Sequence, residues 1–63
     1  MSNIKKYRKQ RNMTQQQLAN ALKVTQGAVN HWEKGKAKPK VEKLLHMAQM
    51  FDCTVEDLIG KGA

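Results

Sequence analysis

The sequence predicts an all-α fold of five short helices, and three observations lead to this prediction. Only three of the 63 residues are aromatic, whereas the helix formers Leu, Ala, Lys and Gln are abundant. Apolar residues recur at helical spacing in separate segments. Three of these segments follow a threonine, a residue that often caps helix N-termini. We therefore expect one compact domain over residues 1–63, with a thin hydrophobic core.

Helix 1 is predicted over about residues 2–11. Residues spaced at i, i+3, i+4 and i+7 share its inward side. They are Ile4, Tyr7, Arg8 and Arg11. We therefore expect Arg8 to point inward, beside Ile4.

Helix 2 is predicted over Gln15–Leu22 from the capping residues at its start. The Thr14 hydroxyl can accept from the Gln17 amide while the Gln17 side chain reaches back, which is the pattern of a capping box. The apolar residues of the helix then fall on one face, which is expected to pack inward. They are Leu18, Ala19, Ala21 and Leu22.

Helix 3 is predicted to start near Gln26, with Thr25 as its N-cap. Only Lys23 and Val24 separate helix 2 from this cap, which leaves room for the short turn of a helix-turn-helix. Helical periodicity divides helix 3 into an apolar and a polar side. The inward residues are Ala28, Val29 and Trp32, and the outward residues are Gln26, Gly27, Asn30, His31 and Lys34.

Helix 4 is expected to begin near Pro39 or Val41 and to be the most buried element. Its wide apolar arc consists of Val41, Leu44, Leu45, Met47, Ala48 and Phe51, and leaves Met50 facing out. Helix 5 is predicted over Val55–Ile59, with a capping box formed by Thr54 and Asp57. Gly60 is expected to end it, and residues 60–63 to form a frayed tail.

The charge distribution favours a polyanionic partner on one side of the molecule. The net charge is +7, and residues 1–43 hold eleven of the twelve basic side chains but only two acids. The rest of the chain has three acids against one lysine. One basic surface beside an acidic end is typical of a protein that lies on nucleic acid by one side. The basic residues of helix 1 are equally consistent with a solvated face and with weak phosphate contacts.

The polar side of helix 3 has the chemistry needed to read base edges. A glutamine or asparagine amide carries a donor and an acceptor in one plane, which matches adenine N6 and N7 in the major groove. Gln26 and Asn30 are therefore predicted to contact bases, and Gly27 to allow close approach. His31 is the remaining candidate for a base contact.

Other polar residues around this surface are predicted to hold the phosphate backbone without reading sequence. The amides at the start of helix 2 would assist them, because a helix N-terminus attracts anions. The predicted phosphate contacts are Thr14, Gln15, Thr25, Lys34, Lys36, Lys38 and Lys40.

Residues 13–39 resemble the helix-turn-helix domain of the lambdoid phage repressor and Cro proteins, the XRE family. The resemblance is carried by Thr14-Gln15, Leu18-Ala19, Thr25-Gln26, Trp32-Glu33-Lys34-Gly35 and Pro39. It implies a five-helix, lambda-repressor-like domain that binds a near-palindromic operator as a homodimer. Because the interface between two such small domains would be weak, we expect the free protein to be a monomer. It also implies an ion pair between Arg8 and Glu33.

Two residues depart from the family pattern, in which glycine is frequent at both positions. Lys23 stands in the turn, where a left-handed backbone would cost lysine roughly 1 kcal/mol. Asn12 tolerates that conformation better. The short chain favours a stand-alone, Cro-like regulator encoded by a bacterium or phage.

Other classes of function receive little support from the sequence. Cys53 is the only cysteine, and with His31 and His46 it lacks the spacing of a metal site. We expect no enzyme activity, no cofactor, no small-molecule ligand and no membrane partner, since no apolar run is long enough to span a bilayer. A cytoplasmic location follows, on the nucleoid when the protein is bound. Trp32 is assigned to the core rather than to base stacking.

A second hypothesis describes an antitoxin-like or partner-binding module whose DNA contact is secondary. An outward Met50 and the acidic residues Glu56 and Asp57 motivate it. Capture of a stoichiometric protein partner would favour this hypothesis over the first.

Overall fold

The computed structural model describes residues 2–60 and contains five α-helices over that range, without a strand. They are α1 (Ile4–Gln10), α2 (Gln15–Leu22), α3 (Gln26–Lys34), α4 (Val41–Phe51) and α5 (Val55–Ile59). The predicted all-α class and element order are therefore confirmed. Of the frayed tail predicted for residues 60–63, Gly60 is described and residues 61–63 lie outside the described residues.

Three threonines begin helices as the sequence predicts. The hydroxyls of Thr14 and Thr54 each accept from the backbone amide three residues on. The backbone N–H of each threonine donates in return to the side-chain oxygen of that same residue, Gln17 or Asp57. Thr25 accepts from the Ala28 amide at 3.1 Å, but the methyl side chain of Ala28 has no acceptor to complete a capping box. Gly60 ends α5 in the left-handed conformation, with a φ of 70°. These local bonds fix where α2, α3 and α5 start.

Helix α1 is shorter than predicted at both ends. Asn3 is its N-cap, with a φ of −101° and a ψ of 10°. The backbone N–H of Asn3 donates to the Leu58 carbonyl at 2.8 Å and its side chain donates to the Asp57 carbonyl. The first residues are thus tied to α5. The helix ends at Gln10, so Arg11 turns outward and is exposed, contrary to the prediction.

One apolar cluster joins all five helices. It consists of Ile4, Leu18, Ala19, Leu22, Val29, Trp32, Met47, Phe51 and Leu58. Tyr7 stacks on Phe51 at its edge, with the ring centres 6.2 Å apart. Trp32 is buried in this cluster, as predicted. Ala21 is exposed, so the inward face of α2 is narrower than predicted and contains only the three residues that reach the cluster.

Helix α4 is not the most buried element, and the prediction for it was wrong. Val41 and Leu45 are 70% and 54% exposed, whereas Met50, predicted to face out, packs against the core. The side of α4 that meets the core is centred on Met47 rather than on the middle of the apolar arc. Met50 lies on that side, while Val41 and Leu45 lie at the opposite edge of the arc.

A lysine fixes this rotation of α4 against α2. Lys43 Nζ donates to the Leu22 carbonyl at 2.9 Å. Leu22 is the last residue of α2, where carbonyl groups lack a partner within their own helix. The bond therefore satisfies a helix end and holds Lys43 toward the core side of α4.

Candidate nucleic-acid interface

Helices α2 and α3 form a packed pair joined by a tight turn. The Val24 amide donates to the Ala19 carbonyl at 3.0 Å as the chain leaves α2. Lys23 takes the left-handed conformation in this turn, with a φ of 59°, and Asn12 does so before α2, with a φ of 56°. These are the two positions at which the sequence analysis noted a departure from the family pattern, and both adopt the left-handed conformation that it considered.

The outward side of α3 is an open polar surface. Gln26, Gly27, His31 and Lys34 are exposed, and Asn30 is half-buried. A side-chain carbon built at Gly27 would have only the Thr25 hydroxyl nearby, at 3.9 Å. The backbone at Gly27 is thus accessible from outside. The residues predicted to contact bases therefore share one solvent-facing surface, which we call the reading surface (Gln26, Gly27, Asn30 and His31).

A network of amide side chains connects the start of α2 to this surface. Gln15 Nε2 donates to Asn30 Oδ1 at 3.3 Å and to Glu33 Oε1 at 3.0 Å. Gln26 Nε2 in turn donates to Gln15 Oε1 at 3.4 Å. The structure thus brings together four side chains that the sequence analysis had singled out separately. No spacing within one helix reveals this network, because it forms only when α2 packs on α3.

Glu33 anchors the network through a buried ion pair with Arg8. Arg8 Nε donates to Glu33 Oε2 at 2.7 Å and Nη2 donates to Oε1 at 3.2 Å, with both side chains more than 90% buried. Arg8 Nη1 also donates to the Met13 carbonyl at 2.7 Å, so the guanidinium ties α1, α3 and the start of α2 together. Such a two-pronged pair is among the stronger polar contacts in proteins.

The ion pair keeps Glu33 charged. Burial by itself raises the pKa of a carboxyl group, but hydrogen bonds from Arg8 and Gln15 act in the opposite direction. The positive charges of Arg8 and Lys5 add to them, so the pKa of Glu33 lies below its ordinary value. Glu33 is therefore an ionised acceptor at neutral pH.

The residues predicted to contact phosphates are exposed, except for Gln15, which is half-buried. Thr14 and Thr25 are exposed, and so are Lys34, Lys36, Lys38 and Lys40. Within residues 2–60, none of these four lysines forms an ion pair or a side-chain hydrogen bond. Both side-chain hydrogens of Gln15 are used inside the network, which leaves its backbone amide in the first turn of α2 as the group able to meet a phosphate.

Met50 bears on the partner-binding hypothesis, and Cys53 on the possibility of a metal site. Met50 is half-buried against the core, so one of the two motives for a partner-binding surface is absent. Cys53 is also half-buried, and burial together with the nearby Asp57 and Asp52 raises the pKa of its thiol. Among the described residues, no three His, Cys, Asp or Glu side chains lie close enough to hold a metal ion.

The chain belongs to the XRE family of helix-turn-helix domains, a family of DNA-binding transcription regulators. The family model, described as helix-turn-helix, matches residues 4–58. This match includes all five helices except the last residue of α5. The family resemblance of the sequence is thereby confirmed.

Three relatives are similar to this chain over most of its length. It is 36% identical over 56 residues to the HTH-type transcriptional activator BcrR of Enterococcus faecalis, covering 89% of this chain and 28% of BcrR. It is 33% identical over 57 residues to the uncharacterized HTH-type transcriptional regulator YqaE of Bacillus subtilis (strain 168), covering 90% and 49%. An uncharacterized HTH-type transcriptional regulator of Archaeoglobus fulgidus is 34% identical over 55 residues, covering 87% and 78%. The chain thus spans less than half the length of the first two relatives.

The described helices do not meet the requirements of a membrane-spanning segment. None of those within residues 2–60 combines the length and apolar character that a membrane span requires.

Proposed function

We propose that this domain binds double-stranded DNA sequence-specifically by placing α3 in the major groove. The observation that carries the proposal is the reading surface, where the side-chain amides of Gln26 and Asn30 are hydrogen-bonded to Gln15 of α2, which in turn donates to Glu33. Amides on an exposed helix match the donor and acceptor pattern of base edges. The exposed lysines that end α3 and follow it supply the positive charge to hold the phosphates on either side.

Selection of duplexes from a random library tests this proposal, with Gln26→Ala as the main variant. Loss of the Gln26 amide should weaken binding to the selected site by about 1–3 kcal/mol and relax preference at one base-pair position. Nonspecific binding should change little. Lys36→Ala is the matched control, because losing a phosphate contact weakens binding to all sequences alike and lowers the salt dependence. Failure of the wild-type protein to select any site would refute the proposal.

A homodimer on a near-palindromic operator is the assembly we propose. The domain measures 28 × 24 × 20 Å, which is shorter than the roughly 34–36 Å between half-sites of two-fold operators. One copy can therefore occupy one half-site. Among residues 2–60, the large apolar side chains left exposed are Val41, Leu45 and Ile59, all in α4 and α5. These helices are the contact surface we expect between two copies.

Sedimentation with and without DNA checks this assembly. We expect a monomer in the absence of DNA and two copies on a duplex that carries two half-sites, because a small apolar contact is too weak to hold the pair alone. A tight dimer without DNA would contradict the first expectation, and one copy per two half-sites the second.

Repression is the output that we propose, because a domain held on an operator excludes other proteins from that DNA. Activation is a second candidate, since one relative is named as a transcriptional activator. A reporter with the selected site placed over or upstream of a promoter separates the two. Lower expression from the first arrangement supports repression, and higher expression from the second supports activation.

A further inference from the structure

The side-chain amides near the reading surface have two possible orientations. The oxygen and nitrogen of an Asn or Gln amide have nearly the same shape, so their hydrogen-bond partners decide which one faces where. An amide that reads DNA must present the correct atom, because oxygen accepts and nitrogen donates. Whatever sets these orientations therefore contributes to base preference.

Glu33 fixes the orientation of Gln15. The Glu33 carboxylate is ionised and can only accept, and its Oε1 lies 3.0 Å from Gln15 Nε2. Gln15 must therefore turn its NH₂ group toward Glu33. Because Arg8 holds both carboxylate oxygens and the Glu33 side chain is only 4% exposed, the carboxylate itself has a single position.

The orientation of Gln15 passes to both amides of the reading surface. Its second hydrogen is donated to Asn30 Oδ1 at 3.3 Å, so Asn30 is left with its NH₂ hydrogens for other partners. Its oxygen accepts from Gln26 Nε2 at 3.4 Å, so Gln26 keeps its own oxygen and one hydrogen available. The Glu33 carboxylate thereby determines which side-chain atoms Asn30 and Gln26 present to solvent and, on DNA, to the bases.

We propose that Glu33 is a positioning residue that sets the donor and acceptor polarity of the reading surface through Gln15. The inference rests on the proposed function, since it concerns how the domain chooses bases. Asn30 then acts as a donor and selects a base whose major-groove edge accepts, such as guanine through O6 and N7 or thymine through O4. Gln26 offers one donor and one acceptor, which suits adenine.

A second pair of amide side chains, Gln16 and Asn20 on α2, shows what happens without a carboxylate such as Glu33 to orient the amides. Gln16 Nε2 donates to Asn20 Oδ1 at 2.9 Å on the exposed side of the helix. Both side chains are amides, and no carboxylate within residues 2–60 is hydrogen-bonded to either of them, so exchanging donor and acceptor preserves the bond. Gln16 is therefore a matched control for Gln15, with the same residue type on the same helix.

The test compares base preference in three variants. A site is first selected from random duplexes with the wild-type protein, and affinities are then measured for that site and each single base-pair change. Gln15→Met removes the relay but leaves the Arg8–Glu33 ion pair. It should lower discrimination at the base pairs that face Asn30 and Gln26 by at least about fivefold. Gln16→Met should retain the wild-type profile.

Glu33→Gln should change which base is preferred opposite Asn30, rather than only weaken the preference for the original base. Arg8 Nε makes the shorter of the two bonds, 2.7 Å against 3.2 Å, so it keeps the single oxygen of the new amide. The NH₂ group then takes the place of Oε1, where it faces Gln15 and leaves Arg8 Nη2 without its acceptor. Gln15 then reverses, and Asn30 offers its oxygen to DNA. The base pair that faces Asn30 should shift from a base with an acceptor edge to one with a donor edge, such as cytosine through N4.

Each outcome separates the two proposals. A lost phosphate contact would lower affinity for every duplex by the same factor, so uniformly scaled profiles for Gln15→Met and Glu33→Gln would overturn the inference alone. Absence of any wild-type preference would overturn the proposed function and the inference with it. Circular dichroism at the assay temperature confirms that each variant is folded, and Gln15→Met decides the result if Glu33→Gln is unfolded.

Discussion

Helices α3 and α4 are both amphipathic, but they present opposite chemistry to solvent. Helix α3 buries Val29 and Trp32 and exposes a polar surface, whereas α4 leaves Val41 and Leu45 largely exposed. A polar surface is suited to base edges and phosphates. An exposed apolar one favours contact with another protein surface. The two helices therefore divide the proposed work, with α3 facing DNA and α4 available for a second copy.

The two helices are also fastened differently. The buried Arg8–Glu33 pair holds α3, while a single bond from Lys43 to the Leu22 carbonyl ties α4 to α2. The helix that carries the reading surface is thus held by a two-bond buried ion pair, and α4 by one bond from a lysine. Three predictions sharpen this comparison. Each of them pairs one variant in the segment from α1 to α3 with one variant in α4 or at its end.

The largest effect is expected from removing the anchor of α3. Arg8→Ala leaves Glu33 as a buried charge without its partner, which should lower the free energy of unfolding by about 3–5 kcal/mol. Lys43→Met removes one bond to a carbonyl and should cost about 1–2 kcal/mol. Urea unfolding followed by circular dichroism measures both. Equal losses for the two variants would show that α3 is not the more strongly anchored helix.

A matched pair of valines tests burial in the two helices. Val29 is fully buried in α3 and Val41 is 70% exposed in α4. Val29→Ala should destabilise the domain by about 2 kcal/mol, from lost apolar burial and a small cavity. Val41→Ala should change the stability by less than about 0.5 kcal/mol. Thermal unfolding without DNA measures both, and a large effect at Val41 would mean that the free protein buries this side of α4.

The smallest effect is expected at the two left-handed residues that end α2 and α4. Lys23 and Asp52 have φ values of 59° and 55°, where glycine is favoured. Lys23→Gly should stabilise the domain by up to about 1 kcal/mol, and Asp52→Gly by less, because Asp tolerates this conformation better than Lys. The midpoints of urea unfolding rank the variants. A loss of stability in Lys23→Gly would show that the lysine side chain has a role in the turn.

Much of the fold could be predicted because it depends on neighbours in the chain. The threonine caps lie within three residues of the amides that they accept from, and Gly60 ends α5 through its own backbone conformation. The left-handed Asp52 was missed, since its sequence carries no glycine to mark the end of α4. The residues of the reading surface could be predicted from the sequence. The hydrogen bonds that join Gln26 and Asn30 to Gln15, and Gln15 to Glu33, could not.

The sequence by itself determined the number and order of the helices, most of their ends, and the outward side of α3. These follow from local hydrogen bonds and from the spacing of apolar residues. Tertiary structure alone decided which edge of the wide apolar arc of α4 meets the core, and that Gln15 joins Glu33 to Asn30 and Gln26. Periodicity gives the faces of one helix, whereas these contacts depend on how separate helices are rotated against each other.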